Sequence, residues 1–102
     1  MAQAKNSTEV LKAVKWMLEN IGWTQNHSYQ YDDETGKIVA MCISGAIRQV
    51  EALPQHRDRA MQRLNALVPT KMGHAVTFND HEKTTKKMVI NLINRALRKG
   101  SK

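Results

Sequence analysis

Four histidines and one cysteine are the residues of this chain that could form a zinc site. The histidines are His27, His56, His74 and His81, separated by 29, 18 and 7 positions. Zinc sites on helices or knuckles use ligands paired at short spacing, so these residues could meet only in a site assembled in three dimensions. The spacing favours polar loop or surface histidines and predicts no metal and no other cofactor. The single cysteine, Cys42, rules out an internal disulfide.

Cys42 and Ser44 are the candidate nucleophiles. Cys42 falls on the apolar face of a predicted helix, where a buried thiol behaves as a small hydrophobe with little thiolate character. Ser44 lacks the Gly-x-Ser-x-Gly pattern of a nucleophile elbow, and no base is placed beside either residue. The sequence therefore predicts a protein that is not an enzyme and has no catalytic residue. Helix packing explains Cys42, Gly45 and Ala46 better than catalysis does, because such small residues let another helix or loop come close.

A polar run from Asn79 to Glu82 precedes the last apolar segment of the chain. These side chains could form an acid/base or metal cluster. They are also the residue types expected at the start of a helix, where Asn79 or Asp80 would accept hydrogen bonds from backbone amides and the carboxylates would favour the positive end. We expect a helix cap.

The distribution of positive charge is the strongest functional signal. The chain holds 16 Lys and Arg against 9 Asp and Glu, a net charge of +7. Residues 1–82 contain nine groups of each sign, so the whole excess lies in residues 83–102, which contain no acid. A neutral body with a basic end indicates an acidic partner. The seven cations are Lys83, Lys86, Lys87, Arg95, Arg98, Lys99 and Lys102.

Three interpretations of this basic segment compete. A helix over 83–99 would place the cations on one broad side and an apolar stripe on the other, and such a face is often simply solvated. A basic amphipathic helix can also lie on an anionic membrane, but this stripe is needed for a small core and contains no aromatic residue. Several cations on a rigid face also suit a phosphate backbone. We favour nucleic acid, DNA first, bound with low sequence preference because no helix-turn-helix, zinc-finger or RNA-recognition pattern is present.

A protein partner is the alternative. Trp16 lies off the apolar arc of the first predicted helix, and Met1, Met41 and Met72 fit poorly to the predicted core stripes. A Trp/Met surface would suit capture of a host protein. The same residues could support a homo-oligomer, so Trp16 does not distinguish self-association from a host target.

Four helices are predicted to position these residues. Apolar residues recur at helical spacing over 8–21, 38–53, 55–68 and 83–99, with Ser7 or Thr8 as the first N-cap and Gly22 closing the first helix. Residues 23–31 are expected to form an ordered loop. The β-branched residues at 38, 39, 43 and 47 leave a strand possible, but length and period favour helix.

The predicted fold is therefore all-α: a compact single domain of about four helices over 8–99, with a flexible lead over 1–7 and a tail over 100–102. Pairing of residues 38–47 in a sheet would contradict it. The predicted core consists of Val10, Val14, Met17, Ile21, Cys42, Ala46, Val50, Leu64, Leu67, Val89, Leu92, Ile93 and Ala96.

Composition excludes several other classes of protein. A chain of 102 residues with 41% hydrophobic and 25% charged residues is typical of one soluble globular domain, which argues against disorder and against a membrane protein. No apolar run approaches the length of a membrane span, and the first residues lack a signal-peptide pattern. A single cysteine fits a reducing compartment, so we expect the cytoplasm.

Three short segments carry a family resemblance: Gly22-Trp23, Cys42-Ile43-Ser44-Gly45-Ala46, and Phe78-Asn79-Asp80 followed by threonine and an aliphatic helix. Together they resemble an uncharacterised family of small proteins from actinobacteria and their phages. The chain departs from that pattern at Phe78, where tryptophan often stands, and at Met41, where an aromatic residue often precedes the cysteine. The resemblance implies a helical fold and an actinobacterial or phage origin, with the host cytoplasm as the location of a phage-encoded protein. It implies no activity.

Overall fold

The computed structural model describes residues 3–99, which form five helices and a two-stranded antiparallel sheet. Residues 1, 2 and 100–102, which include Met1 and the predicted tail, lie outside the described residues. No helix within residues 3–99 is both long enough and apolar enough to cross a bilayer. In chain order the elements are α1 (Ser7–Asn20), β1 (Tyr29–Tyr31), β2 (Ile38–Met41), α2 (Ile43–Gln49), α3 (Pro54–Asn65), α4 (Ala75–Asp80) and α5 (Lys86–Arg98).

The all-α prediction is wrong over residues 38–42, although the domain is dominated by helices. Strands β1 and β2 pair in an antiparallel register that matches Tyr29 with Met41 and is interrupted by a bulge after Gln30. The predicted loop therefore ends in a strand, and the predicted helix over 38–53 is reduced to α2. The helix begins only after Cys42, whose sulfur accepts a hydrogen bond from the Gly45 amide at 3.3 Å.

The other boundaries differ less. The N-cap of α1 is Asn6, whose side-chain oxygen accepts from the Glu9 amide at 2.9 Å, so the prediction of Ser7 or Thr8 as the cap is wrong. Helix α3 ends three residues before the predicted position at 68. The six-residue helix α4 was not expected, because it spans less than two turns and shows no readable period.

The core contains most of the predicted residues. Ile21 is an exception, since it is the C-cap of α1 and is 41% exposed. Leu67 is only partly buried and packs against the core from beyond the end of α3. Met41 is buried on β2 and Met72 packs against the core, which removes them from the proposed methionine surface. Within the predicted flexible lead, Ala4 is buried and its amide donates to the Glu51 carbonyl oxygen at 2.8 Å.

A buried arginine joins three helices. Arg63 of α3 is 6% exposed, and its guanidinium donates to the hydroxyls of Ser7 and Thr8 on α1 and to the Ala96 carbonyl oxygen on α5, each at 2.9 Å. Burial lowers the pKa of Arg63 from its ordinary value, and the nearby charge of Arg59 lowers it further. These bonds hold the start of α1 beside the end of α5, and they occupy the two hydroxyls that could otherwise cap α1.

Candidate nucleic-acid interface

Helix α5 buries the apolar stripe that its sequence predicts. The helix begins at Lys86, later than the predicted 83, because Thr85 is its N-cap and accepts from the Met88 amide at 3.2 Å. The stripe fixes the orientation of the helix, since its residues are at most 2% exposed. They are Val89, Leu92, Ile93 and Ala96.

The prediction that Asn79 or Asp80 caps this helix, with the carboxylates of Asp80 and Glu82 at its positive end, is wrong. Asn79 and Asp80 form the last turn of α4, and Glu82 lies exposed in the turn between α4 and α5. The first turn of α5 therefore contains no acidic residue. The charged residues of that first turn are lysines.

Five of the seven predicted cations lie on the outer side of α5 and at its C-cap. Over residues 3–99, none of their side chains makes a hydrogen bond or an ion pair. Lys83 is exposed but stands in the preceding turn, not on the helix, and Lys102 lies outside the described residues. The exposed cations of the helix and its C-cap are Lys86, Lys87, Arg95, Arg98 and Lys99. We call these five residues the basic face.

Two members of the basic face stand where a helix disfavours them. Lys86 and Lys87 occupy the first turn of α5, beside the positive end of the helix dipole. Exposed charges of the wrong sign at such a position cost about 0.3–1 kcal/mol each at low salt. The free energy of unfolding is therefore lowered by this placement, which a bound anion would reverse.

An open groove of about 580 Å³ separates the start of α5 from the end of α1. Its lining consists of Lys86, Lys87 and Ile90 on α5 and Glu19 on α1. Glu19 is the one carboxylate among these lining residues, and it opposes the lysines without forming an ion pair with them over residues 3–99. The basic face thus ends in a groove of mixed charge.

Trp16 is exposed on the outer surface of α1. It is 56% exposed and lies on the side of the helix opposite the buried residues. Its position off the apolar arc of the first predicted helix therefore leaves it exposed.

The three segments that carry the family resemblance meet around one buried asparagine. Asn79 is 1% exposed, and its side-chain oxygen accepts from the Trp23 indole at 2.8 Å and from the Ile43 amide at 3.2 Å. Its side-chain nitrogen donates to the Thr24 carbonyl oxygen at 3.2 Å and to the Asp80 carboxylate at 2.9 Å. We call Asn79 with these partners the asparagine hub. It joins the loop after α1, the start of α2 and the end of α4.

Two glycines allow backbone segments to approach closely around the asparagine hub. A methyl group on Gly45 would overlap the Ser28 carbonyl oxygen, and one on Gly22, at φ 153°, would overlap the Val39 carbonyl oxygen. The prediction that Gly45 lets another segment come close is confirmed, and that segment is the chain entering β1. The three segments that carry the family resemblance are therefore explained by packing and hydrogen bonding.

Sequence reasoning missed two buried polar residues that the pattern contained. Arg63 falls on the same helical face as Ala60 and Leu64, so the period of α3 already placed it toward the core. Asn79 follows Phe78 in a segment interpreted as a cap, and its role depends on residues far away in the sequence. Only the family resemblance of the Phe78-Asn79-Asp80 segment pointed to it.

The histidines are dispersed in the structure. His74 caps α4 by accepting from the Val76 amide at 3.1 Å, and His81 accepts from the Lys83 amide at 3.2 Å. Within residues 3–99, no three His, Cys, Asp or Glu side chains come together as a set able to hold a metal ion.

We expect the Cys42 thiol to react slowly in the native protein. Cys42 is 6% exposed and its sulfur accepts a backbone hydrogen bond, which leaves little room for an approaching reagent. Labelling with an aromatic disulfide should be roughly 100-fold slower in buffer than in concentrated urea, because it requires local opening. A Cys42→Ser, Lys37→Cys variant provides an exposed thiol as the control. Equal rates for Cys42 in both conditions would contradict the prediction of an inert thiol.

Comparison with known families gives one match. The model of a family of unknown function, DUF6197, matches residues 3–99. The chain belongs to this family. No curated protein and no solved structure matches it significantly. The DUF6197 match thus covers the whole described domain, including the asparagine hub and α5, and it assigns no activity.

Proposed function

We propose that this protein binds nucleic acid, DNA in the first instance, through the basic face of α5 and with low sequence preference. The observation that carries the proposal is the orientation of α5. Its apolar stripe is buried in the core while its five cations are exposed and lack partners within residues 3–99. Such an array can meet several phosphates together, because the helix holds the cations at fixed spacing.

The charge pattern favours a ligand over a merely solvated face. The residues before 83 balance their charges, so the excess is confined to one segment. Lys86 and Lys87 further stand at the end of the helix that disfavours cations. Local choices that oppose stability are expected chiefly at functional sites. A phosphate chain along α5 would remove both the mutual repulsion and the unfavourable dipole interaction.

Neutralising three members of the basic face should weaken binding and reduce its dependence on salt. Each phosphate neutralised on duplex DNA adds about 0.9 to the slope of log K against log salt. Engagement of about four cations gives a slope near −3 to −4. In the triple variant Lys86→Gln, Lys87→Gln, Arg98→Gln we expect a slope smaller by about two to three, with the fold intact because all three side chains are exposed. Fluorescence anisotropy with random-sequence duplex, from low to physiological salt, measures it.

A matched control separates the site from net charge. The variant Lys5→Gln, Lys37→Gln, Lys71→Gln also removes three exposed cations, but none of them lies on α5. It should retain the slope of the original protein. Absence of binding at low salt, or equal slopes for the two triple variants, would contradict the proposal.

A protein partner is the second candidate function, and the exposure of Trp16 favours it. In this alternative the chain acts in the cytoplasm, the host's if it is phage-encoded, and modulates a host protein. The burial of Met41 weakens the alternative, since it removes a methionine from the proposed surface. Binding through a tryptophan surface would depend far less on salt than phosphate contacts do, so the same titration distinguishes the two candidates.

A further inference from the structure

A groove of about 270 Å³ lies between α2 and α3. It is smaller than the roughly 300–1,000 Å³ of pockets that hold drug-sized ligands, so it suits a molecule of about the size of one amino acid. Its lining combines charged groups of both signs with apolar side chains. These residues are Ile47 and Arg48 on α2 and, on α3, Pro54, Arg57, Asp58 and Met61. We call it the α2–α3 groove.

Neutral groups hold both arginines of the α2–α3 groove in place. Arg48 donates to the Ser28 hydroxyl, and its guanidinium carbon lies 5.8 Å from the centre of the Tyr29 ring. Arg57 donates to the Ala52 carbonyl oxygen at 2.7 Å. The Nε atom of Arg57 is buried and has no hydrogen-bond partner within residues 3–99. Both guanidinium groups are therefore oriented in advance and keep unused donors, which lowers the entropic cost of binding an anion.

The charges of the groove do not neutralise one another. Asp58 is exposed and lines the same groove as the two arginines. Over residues 3–99, however, it forms no ion pair with Arg48 or Arg57. Complementary potential is what selects a ligand at such a surface, and a lining with unpaired charges of both signs selects a ligand that also carries both.

We propose that the α2–α3 groove binds a free α-amino acid with an apolar side chain. The carboxylate of the ligand pairs with the two arginines, its ammonium group pairs with Asp58, and its side chain packs on Ile47 and Met61. A phosphate dianion fits less well, because Asp58 repels it and the apolar residues gain no contact. The site uses none of the residues of the basic face, so the inference goes beyond the proposed function.

NMR titration of the ¹⁵N-labelled protein with L-leucine tests the site. We expect saturable shifts at millimolar leucine for amides that line the groove, and none for amides of the basic face. The analogue 4-methylpentanoate keeps the carboxylate and the side chain of leucine but lacks the ammonium group. It should bind about 2- to 5-fold more weakly, which is the contribution of an exposed ion pair. Charge attraction alone predicts the opposite order, because two arginines face one aspartate.

Variants assign each charge of the ligand to its partner. Asp58→Asn should abolish the preference for leucine over 4-methylpentanoate, with the fold intact because the side chain is exposed. Arg57→Gln should weaken both ligands by about 10-fold and leave their ratio unchanged. The controls Asp33→Asn and Lys37→Gln remove exposed charges from the turn between β1 and β2, and they should bind leucine as the original protein does. Circular dichroism checks the fold of every variant.

Three results would overturn the inference. They are the absence of saturable shifts with leucine, a higher affinity for 4-methylpentanoate than for leucine, and saturable binding of inorganic phosphate at the same amides without binding of leucine. A leucine affinity unchanged in both Asp58→Asn and Arg57→Gln would also exclude this groove as the site. None of these results decides the proposed function, which is judged by the salt slopes of the two triple variants on DNA.

Discussion

Replacing Asn79 with alanine is expected to lower the free energy of unfolding by about 3–4 kcal/mol. The substitution removes the acceptor shared by the Trp23 indole and the Ile43 amide, and the donor to the Thr24 carbonyl oxygen. The Ile43 contact is buried, so its amide would lose its partner without gaining water. For a domain of this size the midpoint temperature should fall by roughly 15 °C. Thermal and urea unfolding, followed by circular dichroism, measure both quantities.

The control for this prediction is Asn91→Ala. Asn91 is exposed on α5, and its side chain makes no hydrogen bond within residues 3–99. Removal of the Asn91 side-chain amide should change the free energy of unfolding by less than about 0.5 kcal/mol. A destabilisation below about 1 kcal/mol for Asn79→Ala would show that the hub contributes little and that its motif needs another explanation.

The second large effect is expected for Gly45→Ala, and two physical terms oppose each other there. Helix propensity alone favours alanine over glycine by about 1 kcal/mol. The added methyl group, however, would overlap the Ser28 carbonyl oxygen and press on the Tyr29 ring. That oxygen is fixed by the Cys42 amide at 3.1 Å, so it cannot withdraw without breaking the start of α2. We expect the steric term to dominate, with a net loss of about 3 kcal/mol or more.

Gly36→Ala is the comparison for Gly45→Ala. Gly36 has φ 72° in the turn between β1 and β2, and a methyl group there would meet no atom within 4 Å. Only the backbone conformation opposes the change, at a cost of about 1–2 kcal/mol. If urea unfolding gave Gly45→Ala the same stability as the original protein or a higher one, the close contact with Ser28 would be excluded.

Local sequence determined how well each element could be predicted. In α1 and α5 the apolar residues that form the helical stripe are the ones that the core buries, so period and environment agree. Residues 38–42 also fit a helical face, but the backbone is extended there because β1 and the loop after α1 bond to both sides of Met41. Those partners are distant in sequence, and periodicity contains no information about them.

The candidate interface was more predictable than the hub. The location of the cations depends on the charge count and on which face of α5 is apolar, and both are local properties of residues 83–99. The Asn79 contacts join residues 36 to 56 positions apart. The groove between the end of α1 and the start of α5 likewise depends on the packing of α1 on α5, which Arg63 helps to fix and the sequence does not state.

Two hydrogen bonds between residues distant in sequence also affect how the chain loses its structure. The bonds from Arg63 to Ser7 and from Trp23 to Asn79 each close a loop of 56 positions, and the two loops overlap. Once one of these hydrogen bonds has formed, the shortest path along the chain between the partners of the other falls to about 32 residues. The entropic cost of closing the second loop is then lower by about 0.5 kcal/mol. Each closure therefore favours the other. The two bonds are thus coupled through chain connectivity in addition to the packing of the helices, and this coupling favours opening of the domain as a single cooperative unit.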